Sequence, residues 1–192
     1  MFLRRLNLDS DADRGIASEL FLSNPSYELE NYGRLPTADM ADPLWRRFPD
    51  ECPPEHRLTF AAFEHDQAIG LAQVALHAPS RDSAALLLLL VPQQFQQKHI
   101  GCEIVERLSK QARRWEDISN WYITVVESND RALAFWRHCG FRTKTQGLVC
   151  EGFADRVTLM TRPIKARPAC QHSRAPENAS QITARHLFAR IT

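Results

Sequence analysis

The run AALLLLLV, residues 84–91, is the feature that most limits what this chain can become. It holds no polar side chain, so it cannot present one solvated face as a half-exposed strand does. It is also far short of the ~20 apolar residues that cross a bilayer. A strand covered on both faces remains, and such covering requires helices packed around a sheet. The following QQFQQKHIGCE is polar, and a helical pattern begins inside it: Ile100, Ile104, Val105, Leu108, Ala112 and Trp115 recur on one face. A buried strand, a short polar loop and the N-terminus of a long amphipathic helix therefore stand in direct succession.

The remaining segments fit around that unit. FLRRLNL at residues 2–8 alternates loosely, as a half-buried strand does, and Asp9, Ser10 and Asp11 offer caps for a helix carrying Ile16, Leu20 and Phe21. LPTADMADPLWRRF, residues 35–48, reads as a short helix within a stretch rich in Pro, Tyr and acids. RLTFAAFEHDQAIGLAQVAL reads as a hairpin turning at His65, Asp66 and Gln67, with a bulge marked by Gly70. WYITVV is a β-branched and aromatic strand, and Asn129 or Asp130 caps a helix over RALAFWRHC that Gly140 ends. Residues 141–149 and 156–160 close the domain as strands. The order predicts an α/β domain, one mixed sheet flanked by helices, over residues 1–164. Residues 165–192 are polar and Pro-containing and read as a mobile tail.

Several function classes are excluded by composition. The net charge is +1 over 192 residues, which argues against general nucleic-acid binding. The charge is uneven: the tail carries Lys165, Arg167, Arg174, Arg185 and Arg190 against Glu177, leaving the body mildly acidic. Cys52, Cys102, Cys139, Cys150 and Cys170 are odd in number and form no CxxC pair, so reduced thiols in a cytoplasmic protein are expected. The start has no apolar run of signal-peptide length, and the seven histidines form no HExxH pair, so neither a membrane segment nor a metal is expected.

The strand–loop–helix unit has chemistry of its own. The first N–H groups of a helix lack internal acceptors, and the macrodipole adds roughly half a positive charge there, so the turn can hold an anion. The segment is no Walker loop and lacks GxGxxG. From these residues alone, Gly101 serves either a phosphate cradle or close packing.

A second segment narrows the choice. VVESNDRALAFWRHCGFRT, residues 125–143, placed after the Leu-rich strand, loop and long helix, resembles the acyl-CoA site of the GNAT N-acetyltransferase superfamily. Asn129, Ala132, Phe135, Trp136, Gly140 and Phe141 fall in register with that family's pattern. Gln96 to Gly101 is similar to its Gln/Arg-x-x-Gly-x-Gly/Ala signature, with His99 in place of the first glycine. The resemblance covers residues 2–164 and implies a GNAT-like, mostly antiparallel sheet with a splay between central strands. It implies acetyl-CoA as co-substrate: backbone at Leu89, Leu90 and Val91 along the pantetheine arm, and Gln96, Gln97, Lys98, His99, Ile100, Gly101 and Cys102 around the pyrophosphate. Asn129 would bond the cofactor and Phe135 would flank its thioester end. Trp136 stands where many members have the tyrosine that protonates the leaving thiolate. An indole N–H is no useful general acid, so Trp136 either lines the acyl pocket or is a core aromatic.

For the base, Glu127 directly follows the strand, and it reads equally as a solvated strand-end carboxylate. Tyr27, Glu30 and Tyr32 lie where the family lines its acceptor site, and suit a cationic amine or simply loop packing. The expected activity is acetyl transfer from acetyl-CoA to a primary amine, small-molecule or protein-borne, by direct attack in a ternary complex. The alternative is a non-catalytic acyl-CoA-binding module, and a homodimer is left open.

Overall fold

The structure, a computed structural model, describes residues 1–37, 48 and 52–164. The helix expected over residues 35–48 and the tail from 165 lie largely or wholly outside them. Seven strands form one sheet in the order β1-β2-β3-β4-β5-β7-β6. They are β1 (Phe2–Arg5), β2 (Arg57–Glu64), β3 (Gln67–Leu76), β4 (Ser83–Leu90), β5 (Asn120–Val126), β6 (Arg142–Leu148) and β7 (Val157–Pro163). Every neighbouring pair is antiparallel except β4 and β5. The helices are α1 (Asp11–Leu22), α2 (Pro25–Tyr32), α3 (Ile100–Ala112) and α4 (Asp130–His138).

The parallel pair positions the site. β4 and β5 pair only from Ser83↔Asn120 to Ala85↔Tyr122, and beyond that their C-terminal halves separate. On its other side β4 follows β3 to Leu71↔Leu90, with a register shift that leaves Leu87 without a partner. This bulge flips the alternation: Leu86 faces the core beneath α3, whereas Leu88 and Leu90 pack on the α1 side. The Leu-rich run is therefore not covered on both faces throughout. Leu87 and Leu89 are half-buried, because the departing β5 uncovers them.

The hairpin forms as the pattern predicts, turning at His65 and Asp66, and its bulge falls beside Gly70, where Ile69 is skipped between Ala62↔Gly70 and Phe63↔Ala68. The helix α2 was not legible as one, although its local signals are present. Pro25 occupies its first turn, and Gly33 ends it in the left-handed conformation at φ 68°.

α3 is held on the sheet by its apolar stripe. Ile104, Val105, Leu108 and Ala112 are all fully or nearly fully buried, and each large side chain contributes ~1.5–3 kcal/mol. A polar tie fixes its register: the Trp121 indole N–H donates to Ser109 Oγ at 3.0 Å, and Ser109 Oγ donates to the Val105 carbonyl at 2.7 Å. The N-terminus of α3 is thereby aimed at the point where β4 and β5 part.

Candidate active site

Where the two strands part, a cleft of about 520 Å³ opens. Its floor is β4 and β5, one wall is the first turn of α3 with the length of α4, and the other is α2 with Phe153 from the β6–β7 connection.

The α3 wall is built from backbone. After a 3-10 turn at Gln93–Phe95, Gln97 (φ 61°) and His99 (φ 59°) take the left-handed conformation, and His99 is the N-cap of α3. The imidazole makes no capping bond, so to the start of α3 this position supplies its φ and its amide, and His99 also lines the cleft. Among the described residues, the amides of Gln97, Lys98, His99, Ile100, Gly101 and Cys102 have no protein acceptor. Together with the α3 dipole they form a concave donor surface suited to a pyrophosphate. Gly101 leaves room for a ring: a Cβ here would stand 3.0 Å from two ring carbons of Phe135, tighter than ordinary contact. Packing and cradle, the two uses its sequence left open, coincide at this residue.

Side chains hold the cradle in place. Gln96 Nε2 donates to the Val91 carbonyl at 2.9 Å, and Arg131 of α4 donates to Gln96 Oε1 at 2.5 Å. Gln96 thus joins the end of β4, the loop and α4, and Val91 itself lines the cleft. Leu89 lines the cleft, Leu90 packs its side chain into the core toward α1, and Ile100 and Cys102 line the α3 wall. The Lys98 ammonium lies 5.8 Å from the Phe95 ring centroid, and its side chain is not among those lining the cleft.

Asn129 is committed within the protein. Its Oδ1 accepts from the Ala132 amide at 2.9 Å, capping α4, and its Nδ2 donates to Glu30 Oε2 at 2.8 Å. These two bonds join α4 to α2 at a residue that also lines the cleft. Phe135 lies against Gly101, at the α3 end of the cleft. Trp136 lines the cleft and meets Phe135 and Phe141 edge-on at 4.9 and 5.1 Å, so it is both a lining residue and part of an aromatic stack.

Glu127 does not reach the cleft. Its Oε1 accepts from the Gly147 amide at 2.6 Å and from Thr158 Oγ1 at 3.0 Å, which ties the end of β5 to β6 and β7. The β5–β7 pairing turns this carboxylate away from β4, and only its position after the strand had suggested otherwise.

The opposite wall is built from side chains. Tyr32 stands between Tyr27 (6.2 Å, edge-on) and Phe153 (5.2 Å), with Glu30 beside them. Phe153 was missed, since nothing in its sequence neighbourhood marks a loop aromatic as belonging to α2. Thr124 was missed too: it lines the cleft on β5, and its Oγ1 is buried with no partner among the described residues. Glu30 and Arg131 are the lining residues with full charges among those described. Burial first, and the neighbouring Cys102 second, push the Cys139 thiol far above the usual thiol range. Among the described residues no cluster of three potential metal ligands occurs, and no helix is long and apolar enough to cross a membrane.

The model of the GNAT acetyltransferase family matches residues 23–141, more than half of the chain and all of the α2, β4, α3, β5 and α4 walls. The chain belongs to the GNAT family. Among solved structures, the chain is similar to an acetyltransferase from Thermus thermophilus, 25% identical, with 85% of this chain and 97% of that one covered at a TM-score of 0.66. The ribosomal-protein-S18-alanine N-acetyltransferase from Escherichia coli is 15% identical, covering 90% of this chain and 99% of its own at 0.61. An aminoglycoside 6'-N-acetyltransferase complexed with coenzyme A is 14% identical, covering 88% and 100% at 0.62. The last two share the fold. No curated protein matches the chain. The GNAT fold here is the expected one: a mixed, mostly antiparallel sheet, splayed at its parallel pair and flanked by helices.

Proposed function

We propose that this GNAT domain, residues 1–164, transfers an acetyl group from acetyl-CoA to a primary amine. The carrying observation is the row of amides at residues 97–102, free of protein acceptors beside the opening between β4 and β5. Those residues fit the cofactor: backbone donors suit its pyrophosphate, and the strand edges beyond Ala85 and Tyr122 suit its amide-bearing arm. Bound acetyl-CoA supplies a thioester, and the unpaired N–H groups of β4 polarise its carbonyl as charge develops there.

The amine attacks directly in a ternary complex. With Glu127 committed to β6 and β7, the acceptor sheds its proton to solvent and enters as the free base. Glu30 and the rings of Tyr27, Tyr32 and Phe153 favour an acceptor that carries a further positive charge away from the reacting nitrogen. Glu127's engagement, with Trp136 at the position of the usual acid, also favours a second reading, a non-catalytic acyl-CoA-binding module. Residues 165–192 stay outside the proposed catalytic unit.

Thermal-shift titration with acetyl-CoA, with ATP as control, tests binding. Saturation at about 100 times Kd adds ~2.7 kcal/mol, or ~5–10 °C for a chain of this size. Turnover with a panel of di- and polycationic amines then separates the two readings. Under the catalytic one, kcat/KM rises about tenfold per pH unit below the pKa of the amine. Binding without turnover leaves the module.

A further inference from the structure

Two thiols meet in the α3–α4 wall of the cleft. Cys102, on the first turn of α3, lines the cleft, and Cys139, the C-cap of α4, is buried against it with the sulfurs 3.1 Å apart. An S–S bond is ~2.05 Å long, so about 1 Å of approach separates contact from covalency. The surrounding bonds keep the pair together. Arg162 donates to the Cys139 carbonyl at 2.7 Å, to Glu106 Oε1 at 2.7 Å and to Ser109 Oγ at 3.2 Å, which ties the end of α4 to α3 and β7. Among the described residues, Cys52 and Cys150 each lie without a second thiol against them. The two sequence positions are 37 apart, and neither has a base partner that would mark it as a nucleophile.

The inequality of the two thiols sets the direction of chemistry. Cys139 is buried and held protonated by its surroundings, whereas Cys102 opens to the cleft and meets whatever enters it. The Cys102 amide also belongs to the cradle, and the Phe135 ring packs over its neighbour Gly101.

We propose that Cys102 and Cys139 are an oxidative modification site that turns the cradle off. Hydrogen peroxide entering the cleft is attacked by the Cys102 sulfur. The O–O bond breaks, one oxygen stays as a sulfenic acid, and the other leaves as water with the thiol proton. The Cys139 sulfur then displaces the sulfenic hydroxyl, which takes the Cys139 thiol proton and leaves as a second water, and the S–S bond forms. Two thiols are oxidised and one peroxide is reduced. Closing the last ångström draws the end of α4 onto the first turn of α3, and the cradle amides shift relative to the strand ends they serve. The loss of affinity rests on the acetyl-CoA reading of the cleft; the cross-link does not.

The test uses the full chain, reduced and then treated with hydrogen peroxide. Peptide mapping is expected to find Cys102 linked to Cys139, with the intact mass about 2 Da lower. The Kd for acetyl-CoA is expected to rise about tenfold, the scale of one lost charge-assisted hydrogen bond, and to recover with dithiothreitol. Prior saturation with CoA should slow the cross-linking, because the ligand covers Cys102. Cys139→Ser should bind acetyl-CoA as the wild type does and, lacking the second thiol, show no 2 Da loss after peroxide. Added oxygen at Cys102 without the link would overturn the site, and a link that leaves Kd unmoved would overturn its effect. Failure of the reduced protein to bind acetyl-CoA sinks the functional reading instead, while mapping still decides the cross-link.

Discussion

The two walls of the cleft are made from different materials. The α3 wall is backbone: amides at residues 97–102, two left-handed residues and a glycine that admits an aromatic ring. The α2 wall is side chain: Tyr27, Glu30 and Tyr32 from one short helix and Phe153 from a distant loop. Backbone donors can hold a pyrophosphate whatever side chains they carry, so that wall is specified by conformation. Side chains recognise a particular acceptor, and that wall is specified by identity. The prediction from this contrast is that substitutions on the α3 wall act on acetyl-CoA through shape, and those on the α2 wall act on the acceptor through charge.

Gly101→Val strikes the contrast hardest. The Cβ stands 3.0 Å from two ring carbons of Phe135, and the added γ-carbons increase the crowding against α3's first turn and the ring. Overpacking of this kind costs ~1–3 kcal/mol. If the strain is relieved by moving the turn, acetyl-CoA affinity falls about 10- to 100-fold. Pairing Gly101→Val with Phe135→Leu should recover most of that loss, measured by calorimetry as a double-mutant cycle. Equal losses in the single and double variants would mean that the glycine acts on the cofactor itself and not through the ring.

The same contrast explains what the sequence made legible. The Leu-rich run, the stripe from Ile100 to Ala112 and the Asn129 cap are local patterns, and each forms where it was expected. His99 could be located but not judged, because its φ is a property of the turn and not of the residue. Glu127 misled because a strand's end says nothing about which neighbour its carboxylate will face; the pairing of β5 with β7 decides that. Phe153 and the Cys102–Cys139 contact join residues far apart in the chain, 37 positions in the second case, so no spacing rule reaches them. Leu87 and Leu89 looked like core until β5 diverged, an event that depends on tertiary pairing alone.

On the α2 wall, Glu30→Gln keeps an oxygen for the Asn129 amide and removes the charge. Glu30 is exposed, so the charge contributes at most ~1 kcal/mol to a cationic acceptor, about a fivefold rise in its KM. The Kd for acetyl-CoA should not move. A drop in acetyl-CoA affinity of the same size would show that Glu30 acts through Asn129 on α4, and the two walls would then be one unit.

His99→Gly asks the least of the molecule and separates backbone from side chain most directly. A non-glycine residue at φ 59° bears roughly 1–2 kcal/mol of conformational cost. Glycine removes that cost but gains freedom in the unfolded chain, which returns ~0.5–1 kcal/mol. The net stabilisation is therefore about 0–1.5 kcal/mol, a rise in Tm of at most ~6 °C. The amide remains where it was, so acetyl-CoA affinity should stay within about twofold. A larger loss of affinity at unchanged or raised Tm would mean that the imidazole itself reaches the phosphates. The α3 wall would then depend on a side chain, as the α2 wall does, and the substitution of histidine for the family's glycine would be a gain of contact, not a tolerated strain.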